Sequence, residues 1–175
     1  MKTTGISRRI DNLGRIVIPK EIRKSLKIRD GEMMEISIQD EQIILTKSTT
    51  MRGIKDIAKL CVDAINDTLD ISMIITDRDR IIATSPSLRK KYLDTDLSVE
   101  MSEMLLKRDV IIENESKSLK INNYEEERAS YLVQPIIADG DIVGSIIILG
   151  LDNKISDIDE KVASFISKFL MRNIL

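Results

Sequence analysis

The sequence predicts an α+β protein in two parts, a small β-rich head over about residues 1–50 and an antiparallel sheet domain with flanking helices over about residues 51–175. Three observations carry this. β-Branched runs bounded by turn residues stand beside apolar stripes at helical spacing. The length of 175 residues suits one domain or two small ones. The charge also changes sign along the chain: residues 1–30 hold nine bases against three acids, and residues 31–175 hold 18 bases against 26 acids.

Residues 6–10 read as a short strand, and Asp11 to Gly14 as a turn. Residues 15–18 form a second, β-branched strand that ends at Pro19, because proline has no N–H for a ladder. Residues 20–26 make about two helical turns with Ile22 and Leu26 on one side, and Pro19 suits the first helical position. After the turn at Asp30 and Gly31, Met34, Ile36 and Ile38 alternate with polar neighbours as a half-buried strand. Asp40 and Glu41 then turn the chain into residues 43–46. A β-β-α-β-β unit of some forty residues buries too little surface to fold alone. With no disulfide and no metal ligands, association with a second copy is the remaining route.

Residues 48–50 are a polar bridge. Ile54, Ile57, Ala58, Cys61, Ala64, Ile65 and Leu69 then recur at helical spacing over 52–69. Cys61 lies on that stripe as a small core hydrophobe, without a partner that would activate it. Residues 71–76 and 81–84 flank Asp77 to Arg80 as a hairpin. Ser85 and Pro86 open a short helix through Tyr92, and residues 97–106 form another. Residues 110–112 and 119–121 are two possible strands. Strong strands over 131–138 and 142–149 meet at Asp139 to Asp141. Ser156 caps a last helix carrying Ile158, Val162, Phe165, Ile166, Phe169 and Leu170.

Composition removes whole classes of function. The chain has no His, one Cys and no Trp, and only 3% aromatic residues. Histidine acid–base chemistry and Cys or His metal clusters are therefore absent, and a lone Cys fits a reducing cytoplasm. No Gly-rich phosphate loop is present, and Ser85 and Ser130 have no His to activate them, so no enzyme activity, metal or cofactor is expected. Charge interrupts every apolar stretch, so neither a signal peptide nor a membrane span is expected. A basic head on an acidic body instead points to an anionic partner for the head alone. Arginine neutralises phosphate and can also fork onto a guanine edge, and Arg8, Arg9, Arg15, Arg23 and Lys24 lie near turns or on the short helix.

The run D-x-L-G-R-I-V-I-P-K-E-I-R over residues 11–23, within a longer match over 4–28, resembles the swapped-hairpin DNA-binding domain of AbrB-type transition-state regulators. That resemblance implies a barrel-like dimer of interleaved hairpins. It also implies contacts to double-stranded DNA from Arg8, Arg15 and Arg23, with Lys24 standing where the family has a further arginine. Lys keeps the charge but loses the bidentate fork, which suits a phosphate contact. Arg9 and Lys20 complete the expected DNA-binding set. Residues 51–175 are similar in layout to a GAF domain. The resemblance implies either a small-molecule site between sheet and insert helices, lined near Thr84, Ser85 and Tyr131, or an assembly module without a ligand. The first and last helices could then join dimers into a homotetramer. The whole chain thus resembles sequence-specific, cytoplasmic and nucleoid-associated transcription regulators of sporulation. The alternative is a swapped-hairpin antitoxin with an appended folded domain.

Overall fold

In the computed structural model, residues 5–47, 52–151 and 153–174 are described. The chain divides into two compact units, Met1–Ser48 and Thr49–Leu175. The polar bridge at 48–50 lies outside the described residues.

In the first unit, α1 (Lys20–Ser25) follows Pro19, which occupies the N-cap position instead of the first helical one. Strands β1 (Met34–Gln39) and β2 (Gln42–Lys47) form an antiparallel hairpin in which Ile36 faces Leu45 and Ile38 faces Ile43. The two strands expected over 6–10 and 15–18 are absent as ladder strands in the single chain. Two backbone bonds close the turn between them: Asp11 N–H to Arg15 C=O at 3.1 Å and Gly14 N–H to Asp11 C=O at 3.0 Å. The apolar side chains of these arms and of the hairpin stay largely uncovered, with Val17 72% exposed, Ile36 72% and Ile38 80%. β-Branched sequence favours extended backbone, but a ladder also needs a paired neighbour, and neither arm pairs with the other or with the hairpin.

The second unit is a five-stranded, wholly antiparallel sheet in the order β4-β3-β7-β6-β5. Its strands are β3 (Ser72–Asp77), β4 (Ile81–Thr84), β5 (Ile111–Leu119), β6 (Glu127–Ala138) and β7 (Asp141–Gly150). Helices α2 (Lys55–Leu69) and α5 (Asp157–Ile174) cover one face, where Ala58, Val62, Ile166 and Leu170 pack on Met73, Ile75, Ile146 and Ile148. The short helix α3 (Arg89–Tyr92) and α4 (Val99–Leu106) cover the other, with Tyr92, Met101 and Leu105 against Ile74, Ile147 and Leu149. Both faces are dry. That is why β3 and β7 read as continuous apolar runs and not as alternating ones.

The termini of these elements are specified locally. Ser156 and Asp159 form a reciprocal cap at the start of α5: the Ser156 N–H and hydroxyl both donate to Asp159 Oδ2, at 2.8 and 2.7 Å. Ser98 caps α4 by accepting the Met101 N–H at 2.9 Å. The segment read as two short strands around 110–121 is one strand, β5, whose register shifts between Glu113 and Lys117. Polar residues 114–116 break the alternation there, so the sequence shows two fragments where the backbone of β6 holds one strand. Beyond it, the fully buried Asn122 accepts the N–H groups of Tyr124 and Glu125 at 3.0 and 2.8 Å and donates to Lys91 C=O at 3.1 Å.

Strand β7 passes β3 so closely at Gly144 that an added Cβ would lie 2.1 Å from the Thr76 carbonyl oxygen. Gly144→Ala is expected to destabilise the full chain by roughly 1–3 kcal/mol, as overpacking against rigid backbone does. Gly53→Ala, where a Cβ would meet nothing within 4 Å, is the matched control. Urea unfolding of both variants checks the difference.

Candidate nucleic-acid interface and covered sheet face

The head presents its cations in two local groups. Lys20, Arg23 and Lys24 share α1 at i, i+3 and i+4 spacing, and so one side of it. Arg8 and Arg9 lie on the arm before the turn and Arg15 on the arm after it, all exposed. Arg8 donates to the adjacent Ser7 carbonyl, at 3.2 Å.

Two of these arginines carry a carboxylate partner that the reading of motif residues missed. Arg15 Nε donates to Asp11 Oδ2 at 2.7 Å, and Arg23 Nη1 donates to Asp30 Oδ1 at 2.6 Å. The i, i+4 spacing of Asp11 and Arg15 around a glycine turn is the signal that could have revealed the first pair. Asp11 sits below the ordinary carboxylate range, chiefly because the Arg15 N–H donates to it and next because the Arg15 guanidinium does.

In the second unit, Thr84 and Tyr131 lie on the sheet face under α3 and α4, but on β4 and β6, with β3 and β7 between them. Ile74, Ile147 and Leu149 fill that face. The Ser85 hydroxyl is occupied: it accepts the Met73 N–H at 2.8 Å and donates toward the Ile71 carbonyl at 3.1 Å, latching the end of β4 onto β3. Thr84 differs, since its buried hydroxyl has no hydrogen-bond partner. On the same face, the buried hydroxyls of Thr76 and Ser145 bond each other at 2.7 Å. Burial raises the Tyr131 phenol above its ordinary value, and Glu113 across the strand adds to the shift.

An open groove of about 580 Å³ lies at the β5–β6 end, lined by Ser116, Lys117, Ser118, Glu126, Glu127 and Arg128. Two of its charged side chains are engaged locally. Lys117 pairs with Glu113, and Glu127 accepts from Lys91 at 2.7 Å and from the Tyr92 hydroxyl at 3.0 Å. Burial raises the Cys61 thiol above its ordinary value, as for a structural cysteine. Among the described residues there is no cluster of three or more His, Cys, Asp or Glu able to hold a metal, and no helix long and apolar enough to cross a membrane.

Comparison with known proteins agrees with this layout. Residues 53–174 match the family model described as stage V sporulation protein T C-terminal, transcription factor, and residues 7–52 match that of antidote-toxin recognition MazE, bacterial antitoxin. The chain is 40% identical to stage V sporulation protein T of Bacillus subtilis (strain 168), over 99% of both chains. It is 53% identical over 47 residues to the transition state regulatory protein AbrB of the same organism, which covers 27% of this chain and 49% of that one. The fold of the second unit is that of a GAF domain. A GAF domain from an Acinetobacter phosphoenolpyruvate-protein phosphotransferase aligns with a TM-score of 0.58 at 12% identity, covering 69% of this chain and 81% of that one. The cofactor-binding GAF domain of the nutrient sensor CodY from Clostridium difficile aligns with a TM-score of 0.53 at 16% identity, covering 89% and 94%. An AbrB-like head, a GAF-like body and near full-length identity together place the chain in the stage V sporulation protein T family of transcription factors.

Proposed function

We propose that this regulator of sporulation transcription binds double-stranded DNA through the head, as a homo-oligomer, with Arg8, Arg9, Arg15, Lys20, Arg23 and Lys24 forming the contact surface. The observation that carries the reading is the segregation of charge onto an exposed cationic surface. Residues 1–30 hold nine bases against three acids, and the named cations face solvent or, for Arg23, stand half-exposed. Phosphate neutralisation dominates affinity for DNA, and arginine adds base readout. The uncovered apolar side chains of the arms and hairpin support interleaving with a second head, which doubles the cationic set. The antitoxin reading rests on the head alone. Residues 53–174 fold as an α+β unit and match a transcription-factor model, which favours the regulator. No residue is assigned a catalytic role, and the site of action is the cytoplasm, at the nucleoid.

The body is proposed to respond to a small molecule at the β4 end of the sheet, near the unpaired Thr84 hydroxyl and not Tyr131, which β3 and β7 separate from it, and to join dimers. Helices α2 and α5 keep an outer apolar stripe after covering the sheet: Leu60 is 69% exposed and Phe165 64%, and the Phe165 and Phe169 rings stack at 6.2 Å. Pairing of this stripe between dimers gives a tetramer.

A salt titration of duplex binding tests the DNA reading. Affinity is expected to fall by roughly 0.9 log units per decade of salt for each phosphate contact. An Arg15→Ala/Arg23→Ala double variant is expected to bind weakly while remaining folded, and Lys24→Ala to weaken specific and random DNA alike. A flat salt response, or full affinity in the double variant, refutes the interface. For assembly, light scattering of the full chain is expected to show a tetramer that Phe165→Asp reduces to a dimer, and an unchanged mass refutes the helix pairing.

A further inference from the structure

Asp11 uses both oxygens of its carboxylate for different tasks. Oδ1 accepts the backbone N–H of Leu13 at 2.9 Å and of Arg15 at 2.8 Å, closing the turn in which Gly14 adopts φ +75°. Oδ2 accepts Arg15 Nε at 2.7 Å. The grip falls on Nε, so the terminal fork of the guanidinium is left open, and the Arg15 side chain is 72% exposed. That fork is the edge that matches a guanine or a phosphate in two parallel hydrogen bonds. A free arginine loses several rotatable bonds on ordering, and one held in advance has lost part of that freedom already. Asp30 differs: it takes a terminal nitrogen of Arg23, the edge that DNA would use, and is itself 94% exposed.

From this geometry we infer that Asp11 is a positioning residue for DNA recognition, fixing the direction in which Arg15 offers its fork and thereby raising discrimination between sequences. The inference rests on the DNA interface proposed above. It also runs against bulk electrostatics. A carboxylate near phosphate opposes association, so a residue with no positioning role would improve binding when neutralised. The two accounts give opposite signs for specific DNA. The low pKa direction of Asp11 keeps it ionised throughout the neutral range.

The test uses the full chain with two duplexes of equal length, one enriched from a random pool by the wild-type protein and one of random sequence. Asp11→Asn removes one negative charge, and Glu41→Gln, at the exposed β1–β2 turn, removes one without touching Arg15. Both variants are expected to bind random DNA equally. Asp11→Asn is expected to lose about tenfold in affinity for the enriched duplex relative to Glu41→Gln, the scale of one lost charged readout contact. Arg15→Lys keeps the charge and leaves the backbone turn intact but has no Nε, and it is expected to show a similar loss. Adding Asp11→Asn to Arg15→Lys is expected to change discrimination by less than about twofold, as two residues acting through one contact do. This arm stands even if Asp11→Asn alone loosens the turn. If Asp11→Asn matches Glu41→Gln on the enriched duplex while Arg15→Ala still weakens binding, the positioning role is overturned and the interface survives. If Arg15→Ala binds like wild type, the interface falls and the positioning role with it.

Discussion

The head carries more apolar side chain than one copy of it can cover. Ile10, Ile16, Val17, Ile36, Ile38 and Ile43 are all more than half exposed in a unit whose ladder, among the described residues, is a single hairpin. Two-stranded ribbons are marginal in water, and the arms over 6–10 and 15–18 add no ladder strand to this one. In the proposed dimer a second head buries these faces and provides the missing layer, which ties folding of the unit to association. A DNA-binding surface built from such a pair then repeats every cation about a two-fold axis.

The body meets the opposite condition. Its sheet is covered on both faces within one chain, and β7, paired on both sides, contributes Ile146 and Ile148 to one layer and Ile147 and Leu149 to the other. Gly144 sets how closely β7 approaches β3. What remains uncovered includes the outer stripe of α2 and α5, together with Val99 and Leu106 of α4, Ile112 of β5 and Ile137 of β6. The buried polar side chains are nearly all paired, and among the described side chains of this unit the Thr84 hydroxyl stands out because it is not. An unpaired hydroxyl in a dry layer costs free energy, and a bound polar atom would recover it.

Electrostatics in the head works at two ranges. The excess of bases acts at a distance and carries no sequence information. The Asp11 and Asp30 carboxylates act at hydrogen-bond range and give Arg15 and Arg23 preferred directions, at the cost of some net charge. Both carboxylates belong to the short basic segment, so two of the three acids present there are placed against its arginines.

The sequence by itself determined the two-part division of character, the class of each part and nearly every element of the body. Unbroken β-branched runs and helical stripes are local signals, and caps such as Ser98 and Ser156 are written beside the helices they start. The resemblance over residues 4–28 also suggested the proposed cationic set. Tertiary structure decided what depends on a partner strand or a neighbouring side chain. It merged two fragments into β5, because a polar register shift hides a strand that only β6 holds together. It left the arms of the head without a ladder, because pairing is a property of two segments and neither arm pairs with the other or with the hairpin. It turned the Ser85 hydroxyl to backbone and left that of Thr84 unpaired, a difference between adjacent hydroxyl residues that pleat direction sets and periodicity cannot show. And it placed the Asp11 carboxylate on Arg15 Nε, a contact that forms only once the turn has closed.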